Sequence, residues 1–196
     1  MSEPARADAP TVDVRIGSTA NALQPVSSAE RSLAAGRAQW IVLLLVGGAA
    51  VVADQLTKQV VGRTLELGKS VDIVGPFSIH HVQNSGIAFG LFGSRTSIVI
   101  VVTAIAVGAM LVFFARSGGR HPVLPVALGL VLGGSIANLV DRVRLGHVTD
   151  FLDPPYWPAF NLADTFICAG VAILLVALAG AEREPFFRSA GAPKGV

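Results

Sequence analysis

The sequence predicts a mainly α, polytopic membrane protein: four transmembrane helices with a small extracytoplasmic β-containing lobe. Three observations carry this reading. Of 196 residues, 52% are apolar and only 14% charged, against roughly 25% charged in an average soluble domain. The apolar residues gather in four stretches, each near the roughly 20 residues that a helix needs to cross a bilayer core. The connection between the first two is too long for a tight turn and too apolar for a plain loop.

The same composition excludes several classes. Net charge is only +2 and no basic stretch is interleaved with aromatics, so no nucleic acid partner is expected. The single Cys168 forbids an intramolecular disulfide and disfavours a cysteine zinc site. His80, His81 and His147 lack the spacing of metal ligands. No metal and no cofactor are expected.

Residues 1–38 are rich in Ala, Ser and Pro with scattered charges and read as a flexible tail. They lack the basic start and apolar run of a cleaved leader. The first span opens with the uncharged stretch 40–53 and continues as a helix through Asp54 and Lys58. The second covers 97–115. The third, 122–140, is free of charge and stops at Asp141 and Arg142, and the fourth runs over 162–181 with Asp164 near its start. Residues 183–196 form a C-terminal tail.

Four spans place both termini on one side. Arg31, Arg37, Arg116, Arg120, Arg183 and Arg188 flank the spans there, against Arg63, Lys69, Arg95, Arg142 and Arg144 opposite. The balance favours cytoplasmic termini. The outer side then carries the lobe of about 62–96, where 70–73 and 77–82 read as short strands around the Gly75-Pro76 turn, followed by a glycine-broken patch at 89–93. The other outer connection, 143–160, contains Asp153-Pro154-Pro155-Tyr156-Trp157-Pro158. Its prolines forbid a helix, and Tyr and Trp suit the headgroup level. It is expected to be a stiff interfacial loop.

Ionisable groups within spans cost on the order of 2.5 to 3.5 kcal/mol at the centre and need a partner or a task. Alternating spans bring Asp54, Lys58, Asn138, Asp141, Arg142, Asn161 and Asp164 to one face, with Asn84 and Asp150 in the connections there. Asp54 and Lys58 are four apart, as are Asn138 and Arg142, so each pair shares a helix face. Asp54 and Lys58 could simply form a local ion pair. Asn161 and Asp164 could be an N-cap and its capping box, and Asp141-Arg142 a charged stop. Gly129, Gly133 and Ala137 recur at every fourth position, a stripe explained by close helix packing. Gly75 and Gly86 suit turns. Asp150 and Asp164, fourteen apart across the Pro-rich loop, could meet if that loop folds back. Two such carboxyls would share one proton, as in aspartic proteases. Spacing permits this pairing without requiring it.

These residues carry a resemblance. The segments Asp54-Gln55-Leu56-Thr57-Lys58, Asn84-Ser85-Gly86-Ile87-Ala88-Phe89-Gly90, Gly133-Gly134-Ser135-Ile136-Ala137-Asn138-Leu139-Val140-Asp141-Arg142, Val148-Thr149-Asp150-Phe151 and Phe160-Asn161-Leu162-Ala163-Asp164 are, in this order, similar to the motifs of lipoprotein signal peptidases, the type II signal peptidases of bacteria. The match extends from about 40 to 180. Ala137 replaces the glycine usual in the third motif but is still small.

The resemblance implies a four-helix peptidase domain over 39–182 with a β-cradle in its outer lobe. It implies a membrane aspartyl endopeptidase with Asp150 and Asp164 as catalytic dyad. Its substrates would be diacylglyceryl-modified prolipoproteins, cut before the lipidated cysteine, with membrane lipid as the other partner and a monomer as the expected state. The family's location is the inner or plasma membrane, termini cytoplasmic and site near the outer surface. Asn161, Asn138, Arg142, Asn84 and Gly86 would bind substrate or support the dyad, with Asp54, Lys58 and Asp141 as further supports. Two rivals stay open from the residues alone. A proton-coupled transporter would place its polar groups near the midplane, and a noncatalytic assembly subunit would tolerate loss of both aspartates.

Overall fold

The computed structural model describes residues 33–86 and 96–181. Residues 1–32 of the expected N-terminal tail, the whole C-terminal tail 183–196 and the 89–93 patch lie outside these residues. In chain order the elements are α1 (Arg37–Thr64), β1 (Ser70–Val74), β2 (Phe77–Asn84), α2 (Thr96–Ser117), α3 (Leu124–Leu145), β3 (Val148–Asp153) and α4 (Leu162–Ala181). All four helices are long and apolar enough to span a membrane. The protein is a multi-pass membrane protein, with four long helices and one small sheet among the described residues.

The polar face of α1 explains its length. Leu43, Ala50, Asp54, Lys58 and Val61 are its buried residues. They recur at three, four or seven positions, so one stripe turns inward along the whole helix. Asp54 and Lys58 lie on that stripe and find partners inside the bundle, so they prolong the span instead of ending it.

α3 is the central helix. In its spanning window 61% of residues are buried, against 11 to 17% in the other three. Two faces of small residues make this possible, since lipid supplies no hydrophobic drive between helices and close packing must hold them. A Cβ on Gly133 would lie 2.6 Å from the Gly47 carbonyl oxygen and 2.8 Å from Ala50 Cβ, and one on Gly129 would lie 3.0 Å from Val46 Cβ. The expected stripe therefore seats α1. A second face, one residue on, seats α4: a Cβ on Gly134 would collide with the Ala163 carbonyl oxygen, and one on Gly170 would lie 2.6 Å from that of Ala127. At the end nearer residue 33, Leu43, Phe114, Leu128 and Leu132 form the apolar core, with Trp40 edge-on to Phe114 at 4.9 Å.

The sheet is antiparallel in the order β1-β2-β3. Its first two strands occupy the expected positions, and Gly75 takes a left-handed φ of +58° at the turn between them. β3 corrects the sequence reading, which made all of 143–160 a loop. α3 continues to Leu145, ends on Gly146 at φ +78°, and the chain then joins the sheet. Asp141 and Arg142 are likewise no charged stop. Asp141 is 4% exposed, and its oxygens meet Lys58 and Gln55 inside the bundle, so the helix has no cause to end there.

Candidate active site

The Pro-rich loop is closed at its neck. Leu152 and Phe160 exchange backbone hydrogen bonds, N to O, at 2.8 and 2.9 Å, and Phe151 N donates to the same Phe160 oxygen at 3.0 Å. The chain leaving β3 at Asp153 therefore returns beside it seven residues later. Asn161 is brought to Asp150, and Asp164 follows on the first turn of α4.

Asn161 performs two tasks there. Its Oδ1 accepts from Asp164 N at 3.0 Å, while Asp164 Oδ2 accepts from Asn161 N at 3.3 Å. This is the reciprocal geometry of a capping box. Its Nδ2 meanwhile donates to Asp150 Oδ1 at 2.7 Å and to Asn138 Oδ1 at 3.1 Å. Asn138 Nδ2 donates onward to Asp164 Oδ1 at 2.8 Å. Two touching amides thus hold the two carboxyls, one each, and the helix cap and the polar site are the same residues.

Asn84 reaches Asp150 through the sheet register. Asn84 pairs with Val148 and Val82 with Asp150, so Asn84 and Asp150 are diagonal neighbours on one face. Asn84 Nδ2 donates to Asp150 Oδ2 at 2.9 Å, and its Oδ1 accepts from Gly86 N at 3.0 Å. Arg142 closes the other side by donating from Nη2 to the Gly86 carbonyl at 2.9 Å and from Nη1 to that of Asn138 at 3.4 Å. All ten residues named from the sequence thus lie in one connected cluster.

Among the described residues neither Asp150 nor Asp164 has an ion-pair partner. Their donors are neutral amides. Asp150 is 2% exposed, and burial pushes its carboxyl up to about 6. The amides of Asn84 and Asn161 oppose that push, the negative charge of Asp164 adds to it, and Lys58 opposes it from farther off. Such a carboxyl can hold or release a proton near neutral pH.

Beneath the site lies a second cluster. Lys58 Nζ is 2.7 Å from Asp54 Oδ2, 2.9 Å from Asp141 Oδ2 and 3.0 Å from Asn138 Oδ1. Asp54 Oδ1 accepts from Ala163 N at 2.8 Å, so α1 helps cap α4. The local ion pair expected for Asp54 and Lys58 is present, and it also reaches α3 and α4. Sequence reasoning missed Gln55, whose Nε2 donates to Asp141 Oδ1 at 2.7 Å. It missed Gly134 as well, which lets α4 approach. Gln55 stands inside the Asp54 to Lys58 segment, so its place beside two buried charges was the available signal.

A groove of about 440 Å³ opens beside the site, bounded by Asn84, Trp157, Pro158, Phe160, Asp164, Thr165, Ile167 and Cys168. It is walled by the Pro-rich loop on one side and by an apolar face of α4 on the other. Among the described residues no three His, Cys, Asp or Glu side chains are arranged to hold a metal ion.

Residues 39–179 match the family model described as signal peptidase (SPase) II. Similar proteins named lipoprotein signal peptidase include those of Geobacter metallireducens, 41% identical over 73% of this chain and 93% of that one, and Syntrophotalea carbinolica, 44% identical over 71% and 92%. Among solved structures, a bacterial membrane enzyme determined by the in meso method at 2.3 Å resolution superposes with a TM-score of 0.69 at 27% identity, over 79% of this chain and 93% of that one. With four membrane helices gathering these motifs at one face, the chain belongs to the signal peptidase II family of peptidases.

Proposed function

We propose that this protein is a membrane-embedded aspartyl endopeptidase that removes the signal peptide from diacylglyceryl-modified prolipoproteins, cutting before the lipidated cysteine. The observation that carries the reading is the pair Asp150 and Asp164, joined through the touching amides of Asn161 and Asn138 and free of ion-pair partners among the described residues. Membership of the family and the names of the similar proteins supply the substrate class.

In this mechanism the ionised member of the dyad takes a proton from water, which attacks the scissile carbonyl. The protonated member donates to the carbonyl oxygen and stabilises its developing charge. The proton then passes to the leaving amine. Asn161, Asn138 and Asn84 orient the carboxyls without neutralising them, and Arg142 fixes Gly86 at the rim. The acyl chains stay in lipid, where each buried CH₂ contributes about 0.8 kcal/mol, while the peptide occupies the groove along α4.

The test uses purified protein with a diacylglyceryl-modified precursor and its unlipidated version, products being weighed by mass spectrometry. Release of the signal peptide from the lipidated precursor alone is expected. Asp150→Asn and Asp164→Asn should each abolish it while the protein stays folded and inserted. Turnover retained by both variants would remove the dyad from the mechanism, and no cleavage of either precursor would favour a transport function.

A further inference from the structure

A second cleft lies between α1 and α3, on the side of the Lys58 cluster away from the peptide groove. It encloses about 510 Å³. Arg63 and Arg144 stand at its mouth, in the last turns of α1 and α3. Neither has an ion-pair partner among the described residues. The back wall carries Lys58 and Asp141, but these charges are engaged with each other, and the other Asp141 oxygen accepts from Gln55. The two arginines therefore face the cleft without a carboxylate of their own.

Below Arg63 the α1 wall carries Gly62, Gln59 and Gln55, and turns apolar only at Leu56 and Val52. Leu56 and Val52 line the cleft on the α1 face that also carries Arg63, and both are 56% exposed. From Arg63 down to Val52 is eleven residues of helix, about 16 Å, close to half the roughly 30 Å thickness of a bilayer core. Two arginines at the end of a span, a polar zone at Gln59 next to them, and apolar Leu56 and Val52 deepest, about half a bilayer core away, follow the order of phosphate, glycerol ester and acyl chain in a phospholipid. We propose that this cleft binds an anionic phospholipid, its phosphate between Arg63 and Arg144 and one acyl chain along Leu56 and Val52. Basic residues at helix C-termini also offset the helix dipole, which would account for the arginines but not for the cleft between them. The inference stands apart from the reaction assigned to Asp150 and Asp164.

Native mass spectrometry of the delipidated full chain, titrated with phosphatidylglycerol, phosphatidylcholine or inorganic phosphate, tests it. One phosphatidylglycerol should be retained per chain in preference to phosphatidylcholine, and inorganic phosphate should not displace it. Arg63→Gln with Arg144→Gln should weaken retention by about tenfold or more, given about 1 kcal/mol for each basic residue at an anionic lipid surface. Leu56→Trp, which fills the apolar end of the cleft and leaves the arginines in place, should weaken it as well. Equal retention of both lipids, displacement by inorganic phosphate, or unchanged binding in the two variants would overturn the assignment.

Discussion

Asp150 is the residue whose surroundings make the most specific demand on solution behaviour. Its carboxyl is raised from 3.8 to about 6, first by burial. A carboxyl raised on folding binds more protons in the folded than in the unfolded chain, so stability falls as pH rises between those values. Relative to Asp150→Asn, the native protein should lose on the order of 2 to 3 kcal/mol from pH 4 to pH 7, read from paired unfolding curves in detergent. On the proposed mechanism, activity follows the same group. Catalysis by a singly protonated dyad requires a proton to remain, so kcat/KM should decline through an upper apparent value near 6. Bound substrate excludes water further and favours the neutral form, so the decline in kcat should lie at higher pH. Coincident limbs, or a rate that keeps rising through pH 8, would exclude this proton inventory.

At the scale of elements, α3 is the post on which the site is assembled, and its two small faces have separate consequences. A methyl on Gly134 would strike Ala163 O and lie 2.8 Å from Ile167 Cγ1, displacing the first turn of α4 and with it Asp164. Gly134→Ala should therefore lower kcat at least tenfold for a stability loss of about 1 to 3 kcal/mol. Gly129→Ala, against Val46 and Leu43 and remote from the aspartates, should cost stability without a matching loss of kcat. Steady-state kinetics beside thermal unfolding separate the two. The Lys58 cluster joins α1, α3 and α4, and Lys58→Met would leave Asp54 and Asp141 buried without a cation. Breaking such a pair costs about 3 to 5 kcal/mol, visible as a lowered midpoint of thermal unfolding.

These elements also show how far the sequence was legible. α4 begins where the apolar run and the Asn161 cap place it, because local chemistry fixes that end. β3 escaped notice because Val148, Thr149, Asp150 and Phe151 are all buried, so the strand lacks the in-and-out alternation that identifies a half-exposed one. The packing of Gly134 on Ala163 and of Gly170 on Ala127 was equally hidden. It pairs residues on different helices, and only tertiary packing reveals which small residues face each other. The site's membership was legible because its residues share helix faces and motif segments, whereas the role of Asn161 as link between both carboxyls depends on the loop neck at Leu152 and Phe160.

At the scale of the whole molecule, the helices alternate. Ala35 N donates to Ala115 O and Gly119 N to Leu33 O, placing the chain before α1 beside the end of α2. Thr96 Oγ1 donates to Gly146 O at 3.2 Å, placing the start of α2 beside the end of α3. The sheet, the Pro-rich loop and both aspartates consequently share one face, and Arg120 lies on the other. The charge balance favours the aspartate face outside, where an exported precursor would arrive. Tyr156, at the tip of the loop, is fully exposed, and Arg120, in the connection between α2 and α3, is exposed as well. In a Cys168→Ser background, Tyr156→Cys should react with a membrane-impermeant maleimide in intact cells. Arg120→Cys should react only after the membrane is permeabilised. The opposite pattern would turn the site toward the cytoplasm, where a peptidase acting on exported lipoproteins would be cut off from precursors presented at the outer surface.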